Sequence, residues 1–74
     1  MKTYLKTILN SEGASAREVA KVLEGLGFTT ALGHHDHVYD WGKKDRSVEE
    51  VLNFLEKVHN ALKGMNVQYE VTTL

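Results

Sequence analysis

The chain has no cysteine and no proline, and neither sign of charge dominates it. Without cysteine there is no disulfide and no cysteine-ligated zinc or iron–sulfur centre. The same absence suits a cytoplasmic protein. Nine basic residues against ten acidic ones leave a formal net charge of −1. That balance speaks against a dedicated nucleic-acid or anionic-membrane binder, which carries a basic excess. No run approaches the roughly 20 apolar residues needed to cross a bilayer. Residues 1–9 lack the unbroken apolar core and small-residue cleavage site of a signal peptide, because Lys2 and Lys6 interrupt them. There is no linker or low-complexity tract, so residues 1–74 read as a single domain. Its core is marginal at this size unless close packing or association helps.

What is present is regular. Residues 2–9 mix Tyr4, Leu5, Ile8 and Leu9 with threonine and lysine, as a strand does, with Lys2 and Lys6 marking an exposed face. After a loop at 10–14, Ser15 and Glu18 form a capping box. Ala16, Val19, Ala20, Leu23 and Leu26 then follow at helical spacing, and Gly27 stops the helix. Residues 28–32 make a second strand, 33–36 a turn and 37–41 a third strand. A polar loop leads to a second capping box, Ser47 and Glu50. Val51, Leu52, Leu55, Val58 and Leu62 line that helix, with Val48, Phe54 and Ala61 beside them, and Gly64 ends it. Val67, Tyr69 and Val71 alternate with polar residues in a last strand. The order predicts an α+β fold, a ferredoxin-like βαββαβ sandwich. Its four-stranded antiparallel sheet has spatial order 4-1-3-2 and both helices on one face. Many unrelated functions use that architecture.

The chemistry concentrates at Gly33-His34-His35-Asp36-His37, which holds three of the four histidines. In the predicted topology the 10–14 loop, this turn and the end of the second helix meet at one end of the domain. His59, Glu12 and Asp36 gather there too. Zinc, nickel or copper would take neutral imidazoles completed by a carboxylate. His35, Asp36 and His37 are the first candidates, with His59 or Glu12 completing the set. Strand alternation places His35 and His37 on one side and His34 and Asp36 on the other. For the same reason a neighbouring histidine and aspartate here should not form a dyad. The spacing matches no established metal motif. A solvated hairpin tip accounts for the same residues, since histidine and aspartate tolerate turns.

His37, Tyr39 and Trp41 share one face of the third strand, and Val38 and Asp40 the other. Facing the helices, the aromatics are core, and Asp40 stays out of it. Facing away, Tyr39 and Trp41, with His34 and Glu12 at the end of the domain, would form a ligand or partner surface. Base stacking by single-stranded RNA is disfavoured, because the strand lacks basic and glycine residues and Asp40 and Glu70 oppose phosphate. The 10–15 segment lacks the lysine and glycine spacing of a phosphate loop. No catalytic constellation stands out. The expectation is a non-enzymatic binding or assembly module, working through self-association or a protein partner. A divalent-metal domain and a small histidine-dependent enzyme are the alternatives.

Overall fold

A computed structural model describes residues 1–30 and 36–74. Strand β1 (Lys2–Ile8) leads to helix α1 (Ala16–Gly25), strands β2 (Thr29–Thr30) and β3 (His37–Asp40), helix α2 (Val48–Leu62) and strand β4 (Gln68–Thr73). The sheet is antiparallel throughout, in the order β2-β3-β1-β4. The structure is therefore α+β, an open four-stranded antiparallel sheet with two helices. β2 begins at Thr29, one residue after the start expected at 28, and residues 31 and 32 of the expected strand lie outside the described residues.

β1 runs through the middle of the sheet and sorts its side chains by alternation. Thr3 and Leu5 are fully buried and Thr7 is half-buried on the helix side. On the open side Lys2 faces Asp40 and Lys6 faces Glu70 as cross-strand partners of opposite charge, which suits a solvated face. Val19 and Leu23 of α1 meet Val58 and Leu62 of α2 over Leu5 and Phe28 in one core cluster. Burial of such side chains contributes about 1.5–3 kcal/mol each, less the cost of ordering them.

His37, Tyr39 and Trp41 point to the helices. Tyr39 lies 4.3 Å from Phe54 and 5.7 Å from Phe28 between ring centroids, and Trp41 meets Phe54 edge-on at 5.1 Å. The polar tip of Trp41 is satisfied within the sandwich. Its Nε1 donates to Thr3 Oγ1 at 2.8 Å, and that hydroxyl pairs with Thr73 Oγ1 at 2.9 Å. One hydroxyl chain thus ties β3 and its extension to β1 and β4. The sequence reading did not identify Thr3 as its hub.

Both helices start as expected, with one difference. Ser15 and Glu18 make the full reciprocal box, at 3.2 Å and 3.1 Å. Ser47 Oγ likewise accepts from Glu50 N–H at 3.2 Å. The Glu50 carboxylate, however, turns to the Ser47 hydroxyl and to Arg46, 3.7 Å away, rather than to the Ser47 backbone. The apolar stripe of α2 is also rotated from the expected one. Val58, Leu62 and half-buried Phe54 hold the core, while Leu52 is 55% exposed and Val48 75% exposed. With α2 turned this way, the Phe54 ring stacks on Phe28 and lies tilted against Tyr39.

Gly27 sits at φ +104°, and a Cβ there would lie 2.8 Å from Tyr39 Cε1. Gly27→Ala is expected to lower stability by more than about 1 kcal/mol in urea unfolding, from backbone strain and displacement of Tyr39. Thr3→Val keeps the shape but removes the shared partner of Trp41 and Thr73. It is expected to cost about 1–3 kcal/mol, read from the unfolding midpoint of Trp41 fluorescence.

Candidate functional site

The site begins where the ladder between β1 and β3 ends. His37 is the strand partner of Leu5, yet Asp36 N–H also donates to Leu5 O, at 3.1 Å. Two consecutive residues therefore face one, the count of a β-bulge, which re-aims side chains. The next outward donor on β1, Thr7 N–H, goes to the carboxylate of Asp36 at 2.9 Å, and the Thr7 hydroxyl donates to the same Oδ2 at 3.1 Å. This pins the carboxylate on the helix side of the sheet. Asp36 and His37 consequently line one cleft instead of pointing apart, which corrects the alternation argument at this position.

The cleft encloses about 430 Å³ between the sheet and the first half of α1. Thr7, Leu9, Thr30, Asp36 and His37 form one side, and Ala16 and Ala20 the other. The two alanines lie one turn apart, so the helix wall is short. The volume is in the range of sites for small molecules. His37 is 5% exposed and its Nδ1 has no hydrogen-bond partner. Burial pushes its pKa below the usual 6.5, with the charges of Asp36 and Glu24 pulling the other way. At neutral pH the ring is neutral, so one nitrogen donates and the other accepts.

The remaining candidates are dispersed. His59 is exposed in the last turn of α2 and lines a separate hollow with Leu62, Lys63 and Tyr69. Glu12 lines a third, beside Gly13 and Asn66, with its N–H bonded to Asn10 Oδ1 at 2.9 Å. Neither borders the cleft of Asp36 and His37. Tyr39 and Trp41 belong to the aromatic cluster under α2. Among the described residues no three histidine, aspartate or glutamate side chains converge on a metal-binding position. His35, one of the three first metal candidates, and His34, assigned to the partner surface, lie outside the described residues. The sequence reading missed Thr7, Leu9, Thr30 and the alanine pair as cleft residues. The alanine pair left a trace, small residues one helical turn apart on the presumed core face.

Comparison with known proteins brings no match: no family model, no curated protein and no solved structure aligns significantly with the chain. Among the described residues no helix is long and apolar enough to cross a membrane.

A lowered histidine pKa has a definite sign in stability. The unfolded chain binds a proton near pH 6.5 that native His37 resists, so its contribution is complete above that pH and is lost as the pH falls through the range below it. Thermal midpoints are expected to fall between about pH 7 and pH 5, and less steeply in His37→Gln, whose side chain does not titrate. An unchanged slope would remove His37 as the source.

Proposed function

We propose that this chain is a small non-enzymatic binding module of the ferredoxin-like βαββαβ type, acting in the cytoplasm by docking a protein partner on the outer face of α2. The supporting observation is the exposure of Val48 and Leu52, one turn apart on a helix whose core side is already filled by Phe54, Val58 and Leu62. Half-buried Leu55 continues the same stripe. Exposed apolar side chains in a contiguous row favour an interaction surface over solvent. The open sheet face is a poorer candidate, since it pairs Lys2 with Asp40 and Lys6 with Glu70.

Charge selects between occupants. Glu49 and Glu56 are seven residues apart, on the solvent flank of the stripe. A second copy related by a two-fold axis between antiparallel helices brings that flank against itself, glutamate facing glutamate. An amphipathic segment with lysine or arginine beside its apolar row is the better complement. The test uses a labelled helical peptide built of leucine and lysine at this spacing. Saturable binding is expected, weakened about tenfold or more by Leu52→Glu. No binding, or equal binding by that variant, counts against the proposal. A dimer in sedimentation that Leu52→Glu dissociates would reassign the face to a second copy.

A further inference from the structure

The geometry points to a second, independent site: the cleft of Thr7, Asp36 and His37 is built to bind a small organic cation, an amine or amidine carried on a compact apolar body. Three observations carry this. The first is space, because Ala16 and Ala20 leave about 430 Å³ open against the sheet. The second is unspent hydrogen-bonding capacity of one kind. Both Thr7 donors go to Asp36 Oδ2, and no hydrogen bond from the described residues reaches Oδ1. His37, 95% removed from solvent with Nδ1 unpartnered, adds a neutral ring that can accept or donate. A buried polar atom without a partner is uncommon in folded proteins and calls for a physical cause.

The third is charge. Asp36 forms no ion pair among the described residues, and no lysine or arginine among them lines the cleft. Glu24 of α1 lies close enough to act on His37, adding a second negative charge nearby. Arg17 and Lys21 border the adjoining hollow on the same two alanines, so within the cleft itself it is Asp36 that disfavours a phosphate or carboxylate. A cation supplies the missing counter-charge, and its N–H groups bond Asp36 Oδ1 while its body rests on Leu9, Ala16, Ala20 and the His37 ring. Desolvated in this way, a carboxylate with an N–H donor makes a short, charge-assisted bond.

Benzamidine serves as the probe, with benzoate and benzamide as anionic and neutral isosteres. Each is titrated into the ¹⁵N-labelled full chain and followed by amide shifts. Saturable shifts at Thr7, Ala20, Asp36 and His37 are expected with benzamidine alone. Asp36→Asn keeps an acceptor for Thr7 while removing the charge, and is expected to weaken binding about tenfold or more. Ala20→Leu fills the cleft with a good helix former and is expected to abolish binding while leaving the circular-dichroism spectrum unchanged. If Asp36→Asn fails to fold, Ala20→Leu carries the test. The proposal is overturned if benzamidine gives no saturable shift at these residues, if benzoate or benzamide binds as well, or if Ala20→Leu binds like the wild type. Because α2's outer face takes no part, these outcomes are separate from those for the protein partner.

Discussion

The end of the sheet where β1 finishes depends on one exchange of hydrogen-bond acceptors. Along β1 the ladder to β3 stops at Leu5, and the next donor on that edge, Thr7 N–H, would be left without a strand partner. An unpaired backbone donor there costs about 1–3 kcal/mol. The Asp36 side chain takes that donor, and the Thr7 hydroxyl with it. This satisfies the backbone where β3 starts, and it also fixes an anionic group at the mouth of a cleft. The carboxylate that completes the strand is the one that gives the cleft its sign, so stability and recognition are linked at Asp36.

At the opposite end the constraint is size. A chain of 74 residues has few aliphatic side chains to bury, and among the described residues six apolar ones are buried. Three further aromatic rings, Tyr39, Trp41 and Phe54, pack with Phe28 and extend that core. Rings at these separations add about 0.5–1.5 kcal/mol per pair beyond the area they bury. The Trp41–Thr3–Thr73 chain closes the polar side of the cluster across three strands. Strand alternation requires Thr3 to face inward beside Leu5, and a hydroxyl is tolerated at that buried position because it meets two partners.

The parts of the fold that local rules decide were legible in the sequence. Ser15 with Glu18 marked the start of α1, Ser47 that of α2, and the alternation of His37, Tyr39 and Trp41 put those side chains on a common face. What was not legible depends on contacts between distant residues. Leu52 fits the apolar period of α2 as well as Phe54 does, and it is Phe54 that meets the Phe28, Tyr39 and Trp41 rings from distant parts of the chain. The same holds at Asp36. Strict alternation sends it away from His37, and the departure comes from a donor on β1, 29 residues earlier in the chain. Asp36 and His37 belonged to the predicted site, but the partners around them were invisible, because Thr7, Ala16 and Ala20 carry no chemical signature in isolation.

The unpartnered nitrogen of His37 has a further consequence for a domain of this length. Net stabilities run at about 0.05–0.15 kcal/mol per residue, or about 4–11 kcal/mol for 74 residues. A buried polar atom without a partner costs about 1–3 kcal/mol, a substantial share of that margin. Leucine or methionine at position 37 would fill similar space without the cost, so packing alone gives no reason for an imidazole there. A ligand that binds the folded state alone raises its stability by mass action.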